Sequence, residues 1–340
     1  MSGAAGEDDG VLVTGGAGYI GSHAVLALRD AGHRVVVLDD LRSGFAEAVP
    51  EGVPLVRAST ADGEAVERAL REHRIGAVMH FAASLIVPES VEKPLDYWRN
   101  NVCGTLALVS AMVAAGVDRM VFSSTAATYG MTGEEPVDED APTRPINPYG
   151  ATKLAAERLI ADAGPAHGLR CVALRYFNVA GADPEGRAGQ RTLAATHLIK
   201  VACEAAVGKR REVAVFGTDY PTPDGTCLRD YIHVTDLAEA HVAALDHLAR
   251  GGGSLTLNCG YGRGYSVREV LATVERVAGT PLPVVDAPRR PGDPPRIVAR
   301  AERIRDALGW TPRLDDLDGI AASALAWERR MAAGNAGPAS

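Results

Sequence analysis

Residues Val11 to His23 read VLVTGGAGYIGSH. Three apolar residues lead into Gly15-x-x-Gly18-x-x-Gly21, and helix-forming residues follow. This order predicts a strand, a tight turn and a helix. Gly15 permits the turn, Gly18 lets the backbone approach a pyrophosphate, and Gly21 lets the helix pack closely. The helix N-terminus then offers free N–H groups and a favourable dipole to an anion. The next apolar run, Arg34 to Leu38, ends at Asp39, 18 residues past Gly21. An acid there can accept from the ribose hydroxyls of a dinucleotide. Asp39 and Asp40 stand where a 2′-phosphate would add further negative charge, which favours NAD over NADP. Arg42 reads as a solvated loop cation.

Outward from this stretch, short apolar runs alternate with helical ones. Ala77–Phe81, Arg119–Phe122 and Leu169–Leu174 are further strands, too apolar to leave a face in water. Such runs suit a parallel sheet covered on both sides, so the fold class is α/β, a doubly wound Rossmann-like sheet. After Asn178 the alternation breaks down. Residues 181–189 read as a loop, 192–207 as a helix and 213–216 as a strand. Pro221, Pro223, Asp224 and Gly225 mark a long turn. Tyr231–Val234 and a helix over 236–248 are expected to return to the main sheet. The proline-dense stretch 281–296 is expected to lack regular structure. The expected division is a tail at 1–9, a dinucleotide-binding domain over 10–178 with 230–250 returning to it, and a smaller discontinuous α/β domain over 179–229 and 251–330. A frayed tail is expected over 331–340.

The bulk properties restrict function. Of the 340 residues, 46% are hydrophobic and 23% charged, as in a soluble globular protein. A net charge of -8 argues against a nucleic-acid partner. Cys103, Cys171, Cys203, Cys227 and Cys259 are dispersed and form no CxxC pair, which suits a reducing, cytoplasmic setting. No apolar run approaches the ~20 residues of a membrane span. The opening MSGAAGEDDG lacks the basic and apolar regions of a signal peptide. The histidines show no close ligand spacing, so no metal is expected.

Chemistry concentrates in NPYGATKLAAERL, where Tyr149-x-x-x-Lys153 opens a predicted helix. The i, i+4 spacing puts both side chains on one face. A phenol titrates near pH ~10. A neighbouring ammonium, joined by a nicotinamide cation, is expected to lower that value and make Tyr149 a general base. Val121–Thr125 runs off a strand at the edge where doubly wound sheets bind ligands. The Thr125 hydroxyl is therefore a third candidate, aimed at the same substrate oxygen.

Together with the glycine motif, Thr125, Tyr149 and Lys153 resemble the extended short-chain dehydrogenase/reductase family. Within it, HFAASLIVPESVEKP, NNVCGT, SSTAATYG, LRYFNVAGA, VFGTDYPTPDGTCLRDYIHVTDLA and APRRPGDP resemble the UDP-galactose 4-epimerases. The resemblance covers roughly residues 11–330. It implies transient oxidation of a UDP-hexose at C4 by a retained NAD and return of hydride to either face, which interconverts UDP-glucose and UDP-galactose. It implies NAD contacts from Gly15, Gly18, Tyr19, Ile20, Gly21, Asp39, Asp40, Phe81, Ala82, Ala83, Asn101, Ser123, Tyr149, Lys153 and Tyr176. For the nucleotide sugar it implies Thr125, Tyr149, Asn178, His197, Phe216, Tyr220, Arg229, Arg290 and Asp293, with both arginines on the diphosphate. It further implies a homodimer through the helices around Leu106–Ala115 and Tyr149–Ala161.

The chain departs from the pattern in places. The adenine contact is open between Ser59 and Asp62. His197 replaces a frequent Asn, and its charge is expected to depend on pH. Ile297 replaces a frequent Tyr and suggests room for an N-acetyl group. A dehydratase would need an acid and a base after Thr125, where this chain has Ala126 and Ala127. A non-enzymatic NAD sensor would be expected to lose Tyr149 or Lys153, and a steroid-type dehydrogenase would not carry both Arg229 and Arg290.

Overall fold

The structure is a computed structural model that describes residues 9–192, 195–290 and 292–334. The first unit runs β1 (Gly10–Thr14), α1 (Tyr19–Asp30), β2 (Val35–Leu38), β3 (Leu55–Val56), α2 (Gly63–Glu72) and β4 (Ile75–His80). It continues with the short helices α3 (Val87–Glu92) and α4 (Pro94–Tyr97), then α5 (Gly104–Ala115), β5 (Arg119–Thr125), α6 (Pro148–His167) and β6 (Arg170–Tyr176). The second half holds β7 (Asn178–Ala180), α7 (Leu198–Ala206), β8 (Val213–Phe216), β9 (Leu228–His233), α8 (Val234–Ala249) and β10 (Leu255–Cys259). The chain ends with β11 (Gly264–Ser266), α9 (Val267–Ala278), β12 (Val284–Ala287), β13 (Arg296–Ile297), α10 (Glu302–Leu308) and α11 (Leu317–Ala332).

Seven parallel strands form the main sheet in the order β10-β6-β5-β4-β1-β2-β3. The alternation of side chains along each strand feeds two cores. Val11, Val13, Val35 and Val37 pack with Ala24 and Leu28 of α1 and Leu237, Ala240 and Ala244 of α8. Leu12, Val36 and Leu38 pack with Val66 and Leu70 of α2, Leu108 and Met112 of α5, and Ala156 and Ile160 of α6. Each fully buried side chain of this size contributes about 1.5–3 kcal/mol. Both faces are therefore dry, as the unbroken apolar runs predict. A third core joins α7, α9 and α11 through Ile199, Cys203, Val270, Val274, Ile320 and Leu325.

Four expectations need correction. The strand over 231–234 does not join the main sheet. It belongs to β9, which pairs with β7, β11 and β13 in a separate four-stranded sheet. The helix α8 does return, and the added strand is β10, whose Leu257 and Cys259 carry the apolar face against the same core. The proline-dense stretch contains β12, which pairs in parallel with β8. Its bounding prolines lie just outside the ladder, and Pro283 contributes only its carbonyl, accepting from the Val213 N–H at 2.8 Å. The helix expected from residue 192 begins at Leu198, with residues 193–194 outside the described set. The tail expected from 331 begins later, because α11 continues through Ala332. Residues 1–8 and 335–340 of the expected tails lie outside the described residues.

A strap over residues 129–146 connects the two units. The Val137 N–H donates to the Val298 carbonyl at 2.9 Å, and the Arg300 N–H donates to the Val137 carbonyl at 2.8 Å. The Thr132 hydroxyl donates to the Arg296 carbonyl at 2.5 Å. This strap leaves the tip of β5 and rejoins at α6, so the elements that tie the units together flank the catalytic candidates.

Candidate active site

The glycine turn closes as its sequence requires. Gly15 has φ +72°, and a Cβ there would lie 2.6 Å from the Ala82 nitrogen. A Cβ on Gly21 would lie 2.1 Å from the Gly15 carbonyl oxygen. The turn therefore lies directly against the Phe81–Ala83 segment that leaves β4. The Gly18 N–H donates to the Gly15 carbonyl at 3.1 Å, and α1 starts immediately after it with no side-chain cap. Uncapped N–H groups above a glycine cradle fit a pyrophosphate. Asp39 is buried at the tip of β2. Its carboxylate accepts from the Ala17 N–H at 3.0 Å and the Leu41 N–H at 2.8 Å. It braces the turn and keeps lone pairs free for a ribose hydroxyl. Burial pushes its carboxyl up from the usual range, and the two backbone hydrogen bonds oppose this. Asp40 holds Arg42 at 2.7 Å, and Arg42 also reaches Asn100, so this cation is partly neutralised. The donors and cradle fit NAD.

Not every residue assigned to the cofactor is free for it. The Tyr19 hydroxyl donates to the Gly181 carbonyl at 2.7 Å and ties the units together. Ile20 packs against the first core. The Asn101 amide is engaged with Ser84 and with the Thr152 hydroxyl, at 2.8–3.0 Å. It fixes the loop after β4 against α6. The Phe81 ring lies 4.7 Å from that of His241.

The catalytic candidates converge. Asn147 caps α6 by accepting from the Gly150 N–H at 2.8 Å, and Pro148 occupies the first turn. This start turns Tyr149 and Lys153 toward the tip of β5. The Lys153 ammonium is buried, donates to the Ser123 carbonyl at 2.8 Å and lies 5.0 Å from the Phe122 ring centre. The Thr125 hydroxyl accepts from the Ala127 N–H at 3.2 Å and also hydrogen-bonds Tyr149. Ser123 contacts the Tyr176 hydroxyl on β6.

The expected lowering of the Tyr149 pKa rests on the ammonium and a nicotinamide cation together, and burial of the chain's own phenol opposes it. Burial raises its phenol above the ordinary value, and the hydrogen bond from Thr125 pulls the other way. Lys153 is pushed down to about 7 by burial, with Glu157 opposing. Burial is the leading cause for both groups, and how dry a site becomes is not written in residue spacing.

The substrate candidates fall into three groups. Asn178, at the start of β7, and His197, before α7, share a cavity with Gln190 and Tyr231. The Gln190 side chain meets His197 Nδ1 at 2.8 Å. Burial pushes His197 down, so it is neutral near pH 7 rather than a switching cation. On β9, Arg229 lies 3.6 Å from Asp293. Arg290 stacks on Phe216 at 3.7 Å. Tyr220 is buried beneath Arg289, at 4.2 Å. Ile297 pairs beside Arg229 and packs among Ala126, Tyr129 and Phe177. Asp62 caps α2 by accepting from the Ala65 N–H at 3.0 Å, and Ser59 accepts from the Ala61 N–H at 3.2 Å.

Several site neighbours escaped the sequence. His80, at the end of β4, bridges the Thr14 and Thr105 hydroxyls at 2.6 and 3.0 Å. Glu157, Arg175 and Ser124 form a buried network behind Tyr149 and Lys153. The only signal for Glu157 was its i+4 spacing from Lys153.

A nucleotide-binding sheet with a Tyr/Lys pair at its strand tips defines an enzyme that moves hydride and proton with a bound dinucleotide. The profile described as the NAD dependent epimerase/dehydratase family matches residues 11–260. The chain belongs to this family. It is 63% identical over 321 residues to the UDP-glucose 4-epimerase of Azospirillum brasilense, covering 94% of this chain and 92% of that one. The crystal structure of UDP-glucose 4-epimerase from Brucella ovis in complex with NAD is 46% identical, with a TM-score of 0.91 over 94% of this chain and 98% of that one. The UDP-Glc/GlcNAc 4-epimerase from Campylobacter jejuni is 43% identical, with a TM-score of 0.83 over 95% and 99%.

Proposed function

We propose that the protein interconverts UDP-glucose and UDP-galactose at the sugar C4. The observation that carries this is the docking of Tyr149 and Lys153 against Ser123 and Thr125, beside the glycine cradle. Ala126 and Ala127 follow Thr125, so the elimination chemistry of a dehydratase lacks its acid and base.

NAD, when bound, takes hydride from C4 and returns it. The chain's own residues manage the proton and the geometry. Tyr149 takes the 4-hydroxyl proton and gives it back, and Thr125 orients the phenol and the sugar oxygen. Lys153 keeps positive charge beside the phenolate. Asp39 holds the adenosine ribose, while the α1 N-terminus holds the pyrophosphate. Arg229 and Arg290 bind the UDP diphosphate through planar forks, and Asp293 accepts from the uridine ribose. Asn178 and His197 donate to the phosphates or sugar, and Phe216 and Tyr220 line the uracil and sugar ends.

The proposed division is a cofactor unit built on the main sheet and a UDP-sugar unit built on β7, β9 and the third core. Leu106 and Val113 on α5 are exposed and apolar, which supports a homodimer through α5 and α6. No helix among the described residues is long and apolar enough to cross a membrane, in keeping with a cytoplasmic enzyme of galactose metabolism.

Deuterium at C4 tests the reaction class. UDP-galactose labelled there should give UDP-glucose that keeps the label at C4. Loss of label to water would exclude oxidation and return within one site.

A further inference from the structure

Glu157 lies one helical turn beyond Lys153 on α6, and the i, i+4 spacing puts it on the same face. Arg175 on β6 grips its carboxylate with a two-pronged contact. Nε donates to one oxygen at 2.9 Å and Nη2 to the other at 2.6 Å. The Ser124 hydroxyl, between Ser123 and Thr125 on β5, contacts the same carboxylate. The pair is dry, with 7% and 8% of the two side chains exposed. The Arg175 guanidinium also lies 4.9 Å from the ring centre of Tyr129, at the start of the strap. One carboxylate thus joins the helix carrying Tyr149 and Lys153 to both strands that carry the rest of the site.

We propose that Glu157, clamped by Arg175 and Ser124, is a positioning residue that keeps Lys153 a cation and holds its helix in register on β5 and β6. This rests on Tyr149 and Lys153 forming the catalytic pair. Lys153 is short of counter-charge. Its own hydrogen bond goes to the neutral Ser123 carbonyl, and burial acts against its charge. The groups around it are Tyr149 on its own helix, Tyr176 and Arg175 on β6, and His80 on β4. Burial raises both phenols, and His80 is pushed down to about 3 by burial and by Lys153 itself. All three are therefore neutral near pH 7, and Arg175 is a cation. Among the described residues, Glu157 is the charged group that favours the Lys153 cation. Loss of that charge would also unmask Arg175, and both changes press Lys153 toward the neutral amine.

The chain holds four lysines, Lys93, Lys153, Lys200 and Lys209. Protein grown with isotope-labelled lysine therefore gives few side-chain signals, and that of Lys153 is the one lost in Lys153→Met. Its titration midpoint can be followed by NMR in the protein as purified, whichever sugar is turned over. A failure here is thus separate from a failure of the epimerase reading. In Glu157→Gln the midpoint should fall by about one pH unit, and the alkaline limb of kcat should move with it. Glu157→Asp keeps the charge and should leave the midpoint near that of the parent. A purely structural role would lower kcat equally at every pH and leave Lys153 unmoved. If Glu157→Gln does not fold, Glu157→Gln/Arg175→Gln should lower the midpoint by a smaller amount, because it removes the Arg175 cation together with the carboxylate. An unchanged Lys153 midpoint in the folded variant would overturn the proposal.

Discussion

Tyr149 and Lys153 are the two side chains on which the proposed chemistry turns. Replacing Tyr149 by Phe keeps the ring and removes the proton carrier. kcat should fall by about 10²–10⁴-fold, with the thermal midpoint close to that of the parent. A Phe variant with near-parental kcat would remove Tyr149 from the proton step. At this scale the sequence located the residues better than it set their energies. The spacing of Tyr149 and Lys153 and the strand-end position of Thr125 were legible because they depend on local periodicity. The desolvation of Tyr149 was not, because it depends on how much water the folded site excludes. Arg175 was illegible for a related reason: its partner lies on another element, and only the sheet and helix packing joins them.

Among the elements, the turn from β1 into α1 makes the sharpest prediction. Gly21→Ala would set a Cβ 2.1 Å from the Gly15 carbonyl, and backbone must shift. The expected cost is about 1–3 kcal/mol, with NAD lost on gel filtration under conditions where the parent should retain it. Gly52 has φ +79° but open space around its Cβ position. Gly52→Ala should cost about 1–2 kcal/mol of backbone strain and leave NAD retention intact. Equal retention in both variants would mean that the turn does not form the cofactor cradle. The all-apolar strands of this unit were legible because burial on both faces writes itself as unbroken hydrophobicity. The strand β12 was not, since four residues between prolines carry no periodicity and gain their order from pairing with β8.

The whole molecule buries four histidines as neutral groups. His23, His233 and His241 are pushed down to about 4, and His80 to about 3, with burial the leading cause in each. In the unfolded chain they titrate near pH ~6.5. Between those values the unfolded state binds more protons, so stability must fall as the pH falls. Over the two pH units from 6.5 to 4.5 each group changes the stability by at most about 2.7 kcal/mol. Asp230 acts in the opposite sense. It is pushed up to about 6 by burial, against three backbone N–H donors, and loses stability as the pH rises through that range. The four histidines, joined by His197, outweigh the raised carboxyls Asp230 and Asp39, so the urea midpoint should drop from pH 6.5 toward 4.5. A flat midpoint across that window would mean that the histidines are not held neutral. Assembly is tested separately. Leu106→Glu should convert a dimer to a monomer by light scattering if α5 carries the interface, and an unchanged mass would exclude that helix.

An epimerase that carries its own NAD should form product with no cofactor added. UDP-galactose would be incubated with the purified protein alone, and UDP-glucose followed by chromatography. The expected result is conversion to a mixture of both sugars, with no NAD supplied. No conversion, even after NAD is added, would contradict the assignment.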